Sequence, residues 1–355
     1  MRCLRPQQLR GLRGTAYFRG TGLAGGLPVL AAWAVSCMLI EQVVSRRAGP
    51  RRPPRDKERT TLNARLGSRF KSADARWYVR GRVAARTHPL LAFCSRMPLS
   101  ICLPTVKHVT VGPNGARLGY VEKAGQGRVV VFLHGLGASS PVYFGATAAS
   151  SVMAGSRVLM IDFLGFGISD RPMDFSYTLE DHADSLARGL DELALTAVDI
   201  VAHSMGGSIA IVLAARRPDL VNRLVLAEPN LTPSARPRVE PFTEAEFVAT
   251  GFAQALAAVG PDWAATMRLT DPIALYRTEL SLGRGTSPMM DELMSALPVP
   301  YVLLEGEYTA GLADDPSIRA LGIPVTIVPE AGHTMMLDNP VAFAAALAVA
   351  LDLVP

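Results

Sequence analysis

The stretch V-D-I-V-A-H-S-M-G-G-S-I-A-I-V-L-A-A, residues 198–215, restricts the fold more than any other part of the chain. Its first half is a short apolar run with β-branched residues, a strand signal, and its second half carries a helical pattern. Between the halves sit Ala202, His203, Ser204, Met205, Gly206 and Gly207. A strand that turns at once into a helix needs small residues round the turn, because larger side chains collide there. Such a turn lifts its central residue clear of the strand ends, which exposes the hydroxyl of Ser204. The amides that follow open a helix, where the dipole favours negative charge. One turn thus joins a nucleophile to half of an anion site.

The surrounding pattern fits a sheet with this turn on its rim. Residues 106–111 and 116–122 alternate as two strands about the turn Pro113-Asn114-Gly115. Residues 128–133 and 157–161 are continuous apolar runs, the mark of strands buried on both faces. Residues 178–193 read as an amphipathic helix with Thr178 as its N-cap, and the helix after the turn runs to Arg217. Further strands are expected at 224–227, 299–304 and 324–328, and a last helix at 341–351. Buried strands alternating with helices predict an α/β chain: a doubly wound, mostly parallel sheet with helices on both faces. Right-handed crossovers then gather the turns at the carboxyl ends of the strands on one rim. Residues 232–298 break the alternation. They are Pro-rich at first, then show helical spacing near 247–259, 273–282 and 289–297. They read as a small helical cap, inserted before the seventh strand and over the rim.

Four local patterns now carry a resemblance. His134-Gly135-Leu136-Gly137 follows the third strand. Residues 162–170, D-F-L-G-F-G-I-S-D, follow the fourth. A-H-S-M-G-G forms the turn at Ser204, with Ala202 where a G-x-S-x-G motif has its first glycine. Ala331-Gly332-His333, then Asp338-Asn339-Pro340, lie between the last strand and the last helix. In this order they resemble the α/β-hydrolase superfamily, in its branch with a serine nucleophile and a helical cap, over about 250 residues.

The roles follow partly from chemistry and partly from that resemblance. Ser204 is a weak nucleophile without a base. Of six histidines, His333 is the one in a loop between the last strand and last helix, able to accept the serine proton and return it to a leaving group. His134, beside an oxyanion loop, and His203, on the turn itself, are the alternatives. The oxyanion hole is expected from the backbone N–H groups of Met205 and Leu136. Asp162 is expected to shape its glycine-rich loop. In most of the superfamily the acid that orients the histidine follows the strand at 299–304. Here that position reads Thr309, with Glu307 nearby and Asp314 further on. The strand before the cap ends in Glu228-Pro229, and a carboxylate there also reaches the histidine in some members. Glu228 is the expected acid, with Glu307 and Asp314 as alternatives.

These residues predict a serine hydrolase that attacks a carbonyl carbon and passes through an acyl-enzyme. Carboxylic esters come first, with thioesters, amides and C–C bonds next to a ketone also open. A serine nucleophile excludes the aspartate-dependent haloalkane dehalogenases and epoxide hydrolases of the superfamily. Phe242, Phe247, Phe252, Trp263, Met267, Met289 and Met290 of the cap imply a small, mostly apolar substrate, although most of them are expected simply to pack the cap. A ligand receptor or scaffold on the same fold, or an acyltransferase, are the other readings. No metal constellation appears, and the glycines at 165 and 167 lack the strand–turn–helix setting of a dinucleotide site, so no cofactor is expected.

Charge divides the chain near residue 100. Residues 1–100 hold 20 of its 36 Lys+Arg and only 4 of its 31 Asp+Glu, which leaves 16 against 27 for the remainder. Residues 1–100 are expected to be a basic extension, and 101–355 the hydrolase domain. The extension contains an uncharged run at 22–40 and an Arg- and Pro-rich run at 46–59. It reads as a poorly structured tail or a start set too far upstream, as a membrane anchor through 22–40, or as a targeting segment. The basic run lacks interleaved aromatics, so lipid contact is favoured over nucleic acid. All four cysteines (Cys3, Cys37, Cys94, Cys102) precede residue 103, which fits a reducing compartment. A cytoplasmic location is expected, with anchoring through 22–40 as the alternative.

Overall fold

The computed structural model describes residues 106–352 except 113, 234–236, 310 and 312–315. The expectations for residues 1–100 and for Asp314 lie outside the described residues. No helix among the described residues is long and apolar enough to cross a membrane.

Eight strands form one sheet: β1 (Val106–Thr110), β2 (Arg117–Lys123), β3 (Val129–Leu133), β4 (Arg157–Ile161), β5 (Val198–His203), β6 (Val221–Ala227), β7 (Tyr301–Gly306) and β8 (Val325–Val328). Their order is β1-β2-β4-β3-β5-β6-β7-β8. The β1–β2 and β2–β4 pairs are antiparallel and the others parallel. β7 begins two residues later than the sequence implied. Pro300 has no N–H for the ladder and contributes only its carbonyl, which accepts from Leu224 N–H. β6 begins earlier, at Val221; Asn222 and Arg223 interrupt its apolar run, and the pairing with β5 continues past them through a register shift that skips Asn222.

The apolar runs serve two cores. On one face Val131 and Leu133 of β3 join Ile200 of β5 and Leu224 of β6 against α2 (Leu179–Glu192) and α3 (Met205–Arg216). On the other, Val130 and Phe132 join Val201 and Val225 against α1 (Ser140–Ala149) and the C-terminal helix Pro340–Ala350. Each step along a strand therefore buries a side chain on the opposite face. Truncating one such residue, the fully buried Phe132, costs about 3–5 kcal/mol. α2 starts where Thr178 caps it, its hydroxyl accepting from Asp181 N–H at 3.1 Å. α1 has no polar face to mark its period, which is why the sequence did not reveal it. Its signal was Pro141 in the first turn.

The chain moves from β3 outward to β4, then returns to place β5 on the other side of β3. Helices on the two faces diverge at this switch, and their departure opens a crevice at the carboxyl ends of β3 and β5. Between β6 and β7 lies the helical insertion. Thr243 and Glu246 form a capping box that starts α4 (Glu244–Glu246), and a wider turn at Phe247–Gly251 leads into α5 (Phe252–Ala258). Next come α6 (Pro261–Met267), α7 (Pro272–Arg284) and α8 (Met290–Ser295). α6 was absent from the sequence reading, although Gly260-Pro261-Asp262 is a helix-start signature. After β7 follow α9 (Pro316–Ala320), β8, α10 (Met335–Asp338) and α11 (Pro340–Ala350).

Candidate active site

Ser204 stands between β5 and α3 with φ 51° and ψ −122°. A side chain in that left-handed region costs about 1–3 kcal/mol and persists only when its surroundings hold it. The sheet supplies the restraint: Ser204 N–H donates to Ala227 O at 2.9 Å, one rung beyond the end of the β5–β6 ladder. Close approach supplies the rest. A Cβ on Gly206 would lie 2.6 Å from His134 O, so only glycine lets α3 start this near the β3 loop. Ala202 is fully buried among the apolar residues of the α3 face, which absorb the methyl that a glycine would lack.

Three side chains meet at the rim. His333 Nε2 is 3.2 Å from Ser204 Oγ, and His333 Nδ1 is 2.6 Å from Glu228 Oε2. Half of the His333 side chain is exposed, whereas only 7% of Glu228 is. Glu228 follows β6 with φ 43°, a second non-glycine residue held in the left-handed region. Its N–H donates to Leu304 O at 3.0 Å, again one rung beyond a strand end. Its other oxygen, Oε1, accepts from Gly306 N–H at 2.8 Å. Burial pushes the Glu228 carboxyl up, but hydrogen bonds from His333, Gly306 N–H and the Thr309 hydroxyl outweigh it and hold the group below the usual carboxylate range. Thr309, where the superfamily pattern places its acid, thus donates to an acid one strand away.

The remaining candidates sit elsewhere. Glu307 does not touch His333; its Oε2 accepts from Glu330 N–H at 2.8 Å. His134 is buried, and its Nε2 accepts from Phe163 N–H at 3.1 Å, which leaves Nδ1–H to donate to Gly135 O at 2.7 Å. It therefore braces the loop after β3 from below. His203 Nε2–H donates to His333 O at 2.7 Å, with the two rings 4.6 Å apart, and burial pushes its pKa down to about 3. A neutral His203 pins the backbone of the His333 loop. Asp162 accepts from Ser140 N–H, Ile168 N–H and the Ser139 hydroxyl and so folds the loop that it begins. Asp338 accepts from Gly332 N–H at 2.9 Å and fixes the other side of the His333 loop.

The two expected anion donors lie at the switch crevice. Met205 opens α3, where a helix has no acceptor for its first N–H groups. Leu136 N–H has no partner among the described residues, and Leu136 lines the cavity that Ser204 faces. α6 holds this loop by its carbonyls: Trp263 Nε1–H donates to Leu136 O at 2.8 Å and the Thr266 hydroxyl to Gly137 O at 3.0 Å. The cavity has a volume of about 270 Å³. Ser204, His203, His333, Tyr143, Leu136, Trp263 and Leu282 line it together with Asn230, Arg238 and Glu279. Sequence reasoning assigned no role to those last three. Asn230 follows the Glu228-Pro229 pair, and its Oδ1 accepts from Ser204 Oγ at 3.2 Å. Among the described residues no group of three or more His, Cys, Asp or Glu is placed to hold a metal ion.

A family model described as the alpha/beta hydrolase fold matches residues 128–328. An esterase of Mycobacterium tuberculosis is 32% identical over 240 residues, covering 67% of this chain and 76% of that protein. A probable lysophospholipase of Arabidopsis thaliana is 36% identical over 129 residues, which are 36% of this chain. The matched stretch spans only 30% of the plant protein's length. A solved structure of a thermophilic esterase from Thermogutta terrifontis aligns with a TM-score of 0.57 at 22% identity, over 70% of this chain and 98% of the other.

Proposed function

The chain belongs to the alpha/beta hydrolase fold family, and on that premise we propose that it is an esterase-like serine hydrolase working through Ser204, His333 and Glu228. The linked contacts at 3.2 and 2.6 Å, from Ser204 Oγ to His333 and on to Glu228, carry the reading. Relatives named as an esterase and a probable lysophospholipase support ester-like substrates.

The chemistry follows from that arrangement. Ser204 Oγ bonds to the substrate carbonyl carbon while its proton passes to His333 Nε2. The ionised Glu228 holds the Nδ1–H and stabilises the imidazolium, which a carboxylate kept below its usual range does without taking the proton. Charge on the carbonyl oxygen is met by the N–H groups of Met205 and Leu136, each worth about 100- to 1,000-fold in rate. The C–O bond to the alcohol breaks as His333 returns the proton to the leaving oxygen. Water then repeats the sequence on the acyl-enzyme and frees the acid and Ser204. Asn230 competes with His333 for the single serine proton, so the attack begins once the hydroxyl hydrogen has turned towards His333.

The insertion at 232–298 acts as a lid, a role supported by Arg238, Trp263, Glu279 and Leu282, which it contributes to the cavity lining. Residues 101–355 carry the whole activity, and the basic extension adds none. A fluorophosphonate probe is expected to label the protein at Ser204, and Ser204→Ala to abolish both labelling and turnover of a p-nitrophenyl ester. Folded protein that takes no label overturns the reading.

A further inference from the structure

The cavity above Ser204 contains one built polar arm that the reaction described above does not use. Arg238 Nε–H donates to Glu279 Oε1 at 2.9 Å and Nη2–H to Glu279 Oε2 at 3.2 Å. Glu279 also accepts from Arg238 N–H at 2.7 Å. The guanidinium lies 4.8 Å from the centre of the Trp263 ring, and that ring is itself anchored at Leu136. Two charged contacts and an aromatic face therefore fix the plane of the guanidinium before any ligand arrives. An arginine side chain has five N–H bonds, and Nη1 with one bond of Nη2 has no partner among the described residues.

Exposure separates the two partners. Only 8% of the Glu279 side chain is exposed, against 41% of Arg238. Both line the cavity, and the arginine presents the accessible part. The pair carries no net charge. The neighbouring imidazole of His203 is neutral through the physiological range, so it adds no cation. A substrate carboxylate at Nη1 would gain Arg238 but meet the like charge of Glu279 across the same fork. An uncharged carbonyl oxygen accepts the same N–H without that repulsion, and an alkyl group leaves the donors dry and unpaired.

Resting on the serine-hydrolase reading, we propose that Arg238 is a specificity-determining residue. It donates a hydrogen bond to an uncharged oxygen acceptor, an ester, amide or ketone carbonyl, that the substrate carries away from its scissile carbonyl. Glu279 sets the preference for a neutral group by cancelling the arginine's charge. The substrate class is then a small ester with a second, neutral carbonyl, in place of a plain alkyl ester or a half-acid.

The test compares three matched acyl groups as p-nitrophenyl esters: octanoate, methyl adipate and hydrogen adipate. A second set carries the same three end groups on the alcohol side of a butyrate ester, followed by pH-stat. In the wild type the neutral carbonyl is expected to raise kcat/KM about tenfold over the alkyl ester in at least one set, the effect of one hydrogen bond from a charged donor. The half-acid is expected to fall below the neutral diester. Arg238→Met should bring the ratio of neutral to alkyl ester towards one. Glu279→Gln, which keeps the shape and removes the charge, should shift the ratio towards the half-acid. Equal rates for all three groups in both sets overturn the proposal, as does a preference that survives Arg238→Met. These results leave the serine-hydrolase reading standing if a fluorophosphonate still labels Ser204. A protein that neither labels nor cleaves the alkyl ester overturns both.

Discussion

Glu228 and Glu307 end neighbouring strands of one sheet, and they do different work at the same loop. Glu228 follows β6 and reaches the ring of His333 at 2.6 Å. Glu307 follows β7 and reaches the backbone ahead of that histidine, at Glu330 N–H. The first is 7% exposed and sits in the left-handed region of φ. The second is exposed, and its N–H continues the β7–β8 ladder to Val328 O. An acid at a strand end is thus not enough; the backbone must turn it inward. Both N–H groups continue their ladders by one rung, so the difference lies in φ: Glu228 takes the left-handed turn and Glu307 does not.

The largest expected effect separates the two. Glu228→Gln should lower kcat by up to about 10,000-fold, as when a triad acid becomes its amide, while Glu307→Gln stays within a few-fold of wild type. Steady-state kinetics with a chromogenic ester, alongside circular dichroism, measure both. The reverse ranking would overturn the assignment. The next effect moves the acid. Glu228→Ala with Thr309→Asp should regain about 100-fold over Glu228→Ala alone, because residue 309 already donates to the Glu228 carboxylate and so lies within reach of its site. A double variant no faster than the single one would show that only the β6 end can aim a carboxylate at His333.

A smaller effect belongs to the hydroxyl of Thr309. The carboxyl of Glu228 lies below its ordinary range in the folded chain, so it adds stability above the unfolded carboxylate pKa. That stability is lost as pH falls through the lower, folded value. Thr309→Val removes one donor, raises the folded value and should reduce stability at pH 7 by about 1.5 kcal/mol. Urea unfolding at pH 7 and at low pH measures this, and the difference between the two proteins should shrink in acid. Smallest is Glu307→Ala, which frees Glu330 N–H at an exposed site and should cost about 0.5–1 kcal/mol. A loss as large as that from Glu228→Ala would mean that the loop, and not the ring, needs the carboxylate.

What could be read from the sequence was what is local. The turn at Ser204 announces itself because strand, small residues and helix are consecutive. Glu228 was readable because its strand and the one after it are neighbours in any sheet of this order, so their ends share a rim. Trp263 could be named as a cap residue but not as the brace of Leu136, which lies 127 residues away. Arg238 and Glu279 are 41 residues apart with α4, α5 and α6 between them, and no periodicity links a residue before one helix to the middle of another. α1 escaped because its exposed positions are Val142, Ala146 and Ala149, apolar residues that leave no polar stripe.

The two hydrogen bonds from α6 to the carbonyls of Leu136 and Gly137 tie the helical insertion to the loop after β3. A movement of α6 away from that loop would release both, at a net cost of about 1 kcal/mol each. The loop that carries Leu136 N–H would then lose its brace, and regain it when α6 returned. Under the proposed function, the oxyanion donor at Leu136 would then be held in place only while the insertion is docked against its loop.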